Sequence, residues 1–147
     1  MALPIVAGSD HAGFHLRVEA VRAAREAGAE VDDLGPATPE SVDYPDYARR
    51  VGEAVVAGRA RLGILVCGTG IGMSIAANKL DGVRAAVCRT EYEARMARAH
   101  NDANVLCLGE RVTGTGVAAG IVKVFLETPF EGGRHGRRVD LIRALER

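Results

Sequence analysis

An α/β fold of Rossmann-like, three-layer type, with a five-stranded parallel sheet and a C-terminal helix, is the architecture this sequence predicts. Two observations carry the prediction. Short apolar runs alternate along the chain with longer amphipathic ones, which is the pattern of strands joined by crossover helices. Runs such as "GILV" show no polar alternation, as expected of strands covered on both faces. At 147 residues the chain suits one core, and no linker, repeat or low-complexity segment divides it, so a single domain over 1–147 is expected.

"PIVAG" reads as the first buried strand, and "HLRVEAVRAAREAG" as a helix that Gly28 ends. "AEVDDLG" is the second strand. A Pro-rich loop in "PATPESVDYPDYARRVGEAVVAG" then leads into a helix that starts near Pro45, a residue suited to the first turn. Strand "LGILVC", helix "GMSIAANKL", strand "VRAAVC" and helix "TEYEARMARAHN" follow. Next come strand "ANVLCLG" and helix "GTGVAAGIVKVFLET". After Pro129 a glycine-rich basic loop, "FEGGRHGRR", is expected to precede the last helix, "VDLIRALER".

Bulk composition excludes several classes. Nineteen basic and nineteen acidic residues give zero formal net charge, so nothing points to a nucleic-acid partner. No apolar run approaches the roughly 20 residues of a membrane span, and "MALPIVAGSDHAG" lacks the features of a secretory leader, so no membrane partner and a cytoplasmic location are expected. The three cysteines, Cys67, Cys88 and Cys107, form no closely spaced pair, which argues against a disulfide framework or a cysteine zinc site. Cys88 and Cys107 are most simply small buried residues. Cys67 differs because "GTGIGM" follows it.

That loop is neither a dinucleotide fingerprint nor a Walker loop. Gly68, Gly70 and Gly72 let the backbone present a row of N–H groups at a helix start, which suits an anion, although a tight strand-to-helix turn would also use glycine. The same helix start favours the thiolate form of Cys67, as nucleophile or as base; a third buried cysteine is the plainer alternative. In a parallel sheet, ligands bind beyond the carboxyl ends of the strands. "SDHAG" and "CGTGIG" both lie there, so Asp10, His11, Cys67 and Thr69 are expected to converge, with Arg111 at the same edge. Asp10 could instead merely cap a helix. His100 and Asn101 end a helix and precede a strand, which puts them at the opposite edge. If they serve the same chemistry, a second subunit must bring them. Arg134 and Arg138, four apart, can share one helical face and fork onto a phosphate; a solvated basic tail is the alternative.

These pieces together make the chain resemble the ribose-5-phosphate isomerase B family of sugar-phosphate isomerases. The resemblance rests on "GSDHAGF" (8–14), "DYPDYA" (43–48), "CGTGIGMSIAANK" (67–79), "HNDANVLCLGERV" (100–112) and "EGGRH" (131–135), spread over nearly the whole chain. "CGTGIGMS" is similar to the branch with a cysteine base; the glutamate of the other branch corresponds to Met73. The resemblance implies an aldose–ketose isomerase that uses neither metal nor cofactor. Cys67 would move a proton between C2 and C1 through an enediolate, and His100, assisted by Thr69, would open the sugar ring. Asp10, His11, Tyr44 and Asn101 would contact the sugar, and Gly68, Gly70, Ile71 and Gly72 would line an anion hole. Arg111, Arg134 and Arg138, with His11, would surround the phosphate. A homodimer or tetramer with shared active sites is also implied. Ribose 5-phosphate is the expected substrate; a six-carbon sugar phosphate, a non-catalytic phosphate-binding module, and thiol-dependent group transfer are the alternatives.

Overall fold

The structure is a computed structural model that describes residues 2–147. Five strands, β1 (Ile5–Ser9), β2 (Val31–Asp33), β3 (Leu62–Cys67), β4 (Ala85–Val87) and β5 (Val105–Gly109), form one parallel sheet in the order β2-β1-β3-β5-β4. Six helices complete the chain: α1 (Phe14–Glu26), α2 (Tyr44–Val56), α3 (Ile71–Ala77), α4 (Glu91–Asn101), α5 (Thr115–Glu127) and α6 (Arg134–Arg143). The expected fold class is therefore observed, element for element.

Strand periodicity divides the core into two layers. Ile5, Ala7, Ile64, Val66, Leu106 and Leu108 face one side, where α1, α4 and α5 contribute Leu16, Ala97 and Phe125. Val6, Leu65, Cys67, Val105 and Cys107 face the other, against Val51 of α2 and Met73 of α3. A period of two sends adjacent residues to opposite faces, so strands with two apolar faces need continuous apolar runs. β1, β3 and β5 are buried at every position, whereas the edge strand β2 exposes Asp32 and Asp33.

Sheet order fixes where a ligand cleft can open. The chain leaves β1 to place β2 on one side, then returns to place β3 on the other. α1 lies on one face and α3 on the opposite face, so their loops part at the carboxyl ends of β1 and β3.

One boundary differs from the expectation. The basic segment that reads as a loop is helical from Arg134 onward, and only the residues before it stay irregular. Gly133, at φ 58°, makes the turn into the helix. His135 and Val139, four apart and both buried, hold its first turns against the body of the protein. Burial of that stripe outweighs the glycine-rich composition.

Two glycines are needed for close backbone contact. A Cβ on Gly13 would lie 2.5 Å from the Val66 carbonyl, and one on Gly109 would lie 2.5 Å from the Thr69 carbonyl carbon. Gly116, within α5, meets nothing within 4 Å. Gly109→Ala is thus expected to destabilise the protein by at least about 1–3 kcal/mol. Gly116→Ala should stabilise it by roughly 0.5–1 kcal/mol. Urea unfolding midpoints of the two variants check both signs.

Candidate active site

β3 ends at Cys67, and the chain turns through Gly68, Thr69 and Gly70 into α3. Gly70 takes φ 80°, the left-handed conformation that glycine adopts without strain. This turn brings its N–H to 3.1 Å from Cys67 Sγ, and the Ile71 N–H donates to Thr69 Oγ1 at 3.2 Å. Cys67 is only 5 % exposed, so its sulfur lies beneath the loop with the rest of its side chain in the core layer of α2 and α3. Reaction at this sulfur requires a ligand seated in the loop itself.

Neighbouring loops close around this turn. The Glu110 N–H donates to the Cys67 carbonyl and the Arg111 N–H to the Gly68 carbonyl, each at 3.0 Å. The Arg111 guanidinium folds back over Gly68, where an added Cβ would meet Nη1 at 3.2 Å. Tyr44 packs its ring on Gly72, close enough that a Cβ there would lie 2.8 Å from it. After β1, Asp10 Oδ1 accepts the Gly13 N–H at 3.0 Å, and His11 Nδ1 accepts the Val42 N–H at 3.2 Å. Asp10 thus stabilises its own turn rather than capping α1, whose N-cap is Gly13 without a side-chain cap bond, and it lies at the switch point. Asp10, His11, Tyr44, Cys67, Thr69, Ile71 and Arg111 all belong to segments at this one edge.

The other expected residues are elsewhere. His100 and Asn101 occupy the last turn of α4, and the chain then enters β5 from the opposite edge. β5 pairs along its length with β3 up to Cys67–Gly109, and its four rises of about 3.3 Å separate the two edges by roughly 13 Å. The α6 helix joins His100: the His135 ring stacks on the His100 ring, centroids 4.0 Å apart and planes 9° apart. Glu131 Oε1 lies 3.8 Å from His100 Nε2 and 3.7 Å from His135 Nε2. Arg134 and Arg138 stand on α6 beside this pair. One chain therefore holds the expected residues in two separate clusters, one at the glycine loop and one at the α4–α6 contact.

Three residues escape the reading of sequence alone. Glu131 and His135 sit four apart within "EGGRH", a spacing that becomes informative only once α6 is known to start at Arg134. Glu110 is the third: its Oε1 accepts the Leu16 N–H at 2.7 Å, which ties the first turn of α1 to the loop that carries Arg111. No local pattern in the sequence signals that contact.

Thiol environments separate the cysteines. Burial pushes the Cys88 thiol up to about 12, with Glu93 adding to it. Burial likewise raises Cys107, helped by the neighbouring Cys67 and Cys88. Both shifts favour the protonated thiol, in keeping with small buried residues of the core. Burial also lowers His135 below its ordinary value, and the adjacent His100 and Arg134 push in the same direction.

Comparison with known proteins agrees with this architecture. Residues 5–142 match the family model described as Ribose/Galactose Isomerase. The chain is 50% identical over 142 residues to ribose-5-phosphate isomerase B of Escherichia coli K12, covering 97% of this chain and 95% of the other. The type B ribose 5-phosphate isomerase of Trypanosoma brucei superposes with a TM-score of 0.96 at 53% identity, over 99% of this chain and 100% of that one. Ribose-5-phosphate isomerase B of Mycoplasma genitalium, solved with bound ribulose-5-phosphate, gives a TM-score of 0.92 at 42% identity, covering 98% and 96%.

His135 supplies a test of the α4–α6 packing. Its folded value is depressed from 6.5, so below about pH 6.5 the unfolded chain binds this proton more readily and stability falls as pH falls. His135→Asn removes that contribution. Thermal melts between about pH 5 and 7 should then show a shallower acid-side decline than the unmodified protein; an unchanged slope would place the imidazole in solvent.

Proposed function

The chain belongs to the ribose/galactose isomerase family, and we propose that it interconverts ribose 5-phosphate and ribulose 5-phosphate with Cys67 as the base. The observation that carries the reading is the Cys67 sulfur under the glycine loop, 3.1 Å from the Gly70 N–H, at the crevice edge of the sheet. An aldose and its ketose differ by one proton moved from C2 to C1 and one moved between their oxygens. A base beside both carbons suffices for the first, provided that donors meet the negative oxygen of the enediolate.

The loop offers those donors. Among the described residues no protein acceptor meets the N–H groups of Gly68, Thr69 or Gly72, which leaves them to an anion. Donors of this kind are worth about 3 to 4 kcal/mol in comparable reactions. Low exposure of the sulfur restricts it to a carbon delivered into the loop and keeps water away from the intermediate. Arg111 over Gly68 supplies positive charge, and His11 across the crevice, whose Nδ1 already accepts the Val42 N–H, has its Nε2 side left for the substrate's oxygens and phosphate.

His100 is assigned the proton that opens the furanose ring, with Thr69 assisting, and Asn101 a sugar hydroxyl. Arg134 and Arg138, four apart on α6, share a face and bind the phosphate. Because these groups lie at the opposite edge of the sheet from Cys67 in one chain, the complete site is formed between two copies. Each copy lends its α4–α6 half-site to the glycine loop of the other, in a homodimer or a tetramer built from it.

Cys67→Ala should lower turnover of ribose 5-phosphate by about 10²–10⁴-fold while substrate still binds. Deuterium exchange at C2 in heavy water should stop with it; retained exchange refutes the base assignment and favours a binding module. Substituting His100→Ala should slow turnover of the cyclic sugar far more than that of a four-carbon aldose phosphate, whose ring-forming hydroxyl carries the phosphate. A panel with allose and galactose 6-phosphates reads the preferred chain length.

Mixing the two inactive variants tests the shared site. A heterodimer of Cys67→Ala with His100→Ala holds one intact site and one doubly defective site. Random reassortment makes half the dimers mixed, so about a quarter of the unmodified activity should return. No recovery after verified subunit exchange places both residues in one subunit's site.

A further inference from the structure

His100, Glu131 and His135 bring two imidazole nitrogens and a carboxylate oxygen within 4.8 Å of one another. We propose that this triad binds a transition-metal dication of the zinc class, which inhibits the enzyme reversibly by capturing His100. Binding follows from the triad itself; the inhibition rests on the ring-opening role given to His100 above.

The donor set and spacing fit such an ion. Two imidazoles and one carboxylate are a three-ligand zinc set that leaves a fourth position for water. Magnesium and calcium prefer all-oxygen shells, so these ligands disfavour them. Tetrahedral bonds of about 2.0–2.2 Å put ligand atoms roughly 3.4 Å apart. The carboxylate oxygen already lies 3.7 and 3.8 Å from the two nitrogens. The carboxylate needs shifts of only a few tenths of an ångström, and the two nitrogens, within 4.8 Å of each other, close by a ring rotation, on a framework held by the Glu131 N–H to the Ala99 carbonyl and the His135 N–H to the Gly132 carbonyl.

Ring geometry decides what binding does. Planes 9° apart cannot both aim a lone pair at one point, so one imidazole has to turn. The His135 side chain is 10% exposed and that of His100 is 37%, so His100 is the ring with room to move. Coordination then removes both its orientation and its lone pair from the sugar. Electrostatics set the strength. The C-terminal end of α4 favours a cation, whereas the α6 N-terminus, Arg134 and Arg138 oppose it. Affinity below that of a structural zinc site, and hence reversibility, follows from that balance.

Cobalt(II) titration of the full chain tests the site, because tetrahedral cobalt absorbs in the visible. One equivalent per chain, displaced by zinc, is expected. Glu131→Gln and His135→Asn should each weaken it by at least about tenfold, and Cys67→Ala should leave the spectrum unchanged. Absence of saturable binding, or unaltered binding in both triad variants, overturns the proposal. So does a thiolate charge-transfer band that Cys67→Ala abolishes, since the metal then sits on the cysteine. If His135→Asn fails to fold, Glu131→Gln carries the comparison. Zinc should inhibit ribose 5-phosphate turnover in the unmodified enzyme, and about tenfold more zinc should be needed in Glu131→Gln, each measured against its own metal-free rate. Cobalt bound at the triad without inhibition by zinc overturns the regulatory half and puts the failure in the role given to His100.

Discussion

The contact between the turn after β3 and the end of β5 is the constraint on which the site depends. Backbone meets backbone there: Gly109 lies so close to Thr69 that no side chain fits between them, and a Cβ on Gly70 would lie 3.1 Å from the Leu108 carbonyl carbon. Two hydrogen bonds, from Glu110 to the Cys67 carbonyl and from Arg111 to the Gly68 carbonyl, lock the strands together past their last paired residues. The glycine loop is therefore a rigid extension of the sheet. Its N–H groups are oriented before any ligand arrives, which is the condition under which such donors lower a barrier. The same interlock folds the Gly70 N–H over the Cys67 sulfur, so a single backbone arrangement sets both the thiol that we propose as base and the row of N–H groups beside it.

The three cysteines show how much position matters. All lie in or beside the sheet and all are nearly enclosed. Cys107, on β5, lies wholly within the layer it shares with Met73 and Val105. Cys88 follows the edge strand β4 and is enclosed on the opposite layer. Cys67 alone ends a strand under a glycine turn, with a backbone N–H aimed at its sulfur. Composition treats the three as equal; the turn after one of them does not.

A second organising feature is the separation of the candidate residues between the two edges of the sheet. The loops after β1, β3 and β5 gather Asp10, His11, Cys67 and Arg111, whereas the α4–α6 contact gathers His100, Glu131, His135 and the paired arginines. Parallel strands enforce this division, because every loop that leaves a carboxyl end is remote from every loop that enters an amino end. A reaction that uses both sets joins two molecules. Glu131, between two imidazoles, gives the α4–α6 half-site a compact donor cluster of its own.

Sequence alone determined the order of elements, because continuous apolar runs and amphipathic stretches differ in period and length. It also determined which strand ends gather the candidate residues, since glycines after "LGILVC" and "SDH" after "PIVAG" are local signals, and a helix that ends at His100 and Asn101 has only one edge to end on. Tertiary structure decided the rest. The start of α6 depended on burial of His135 and Val139, which no composition of "EGGRHGRR" reveals. The stack of His135 on His100 joins residues 35 positions apart, and the Glu110 carboxylate finds the Leu16 N–H across 94. Local patterns record the energies of turns and periodic faces; contacts between distant segments exist only once packing has brought those segments together.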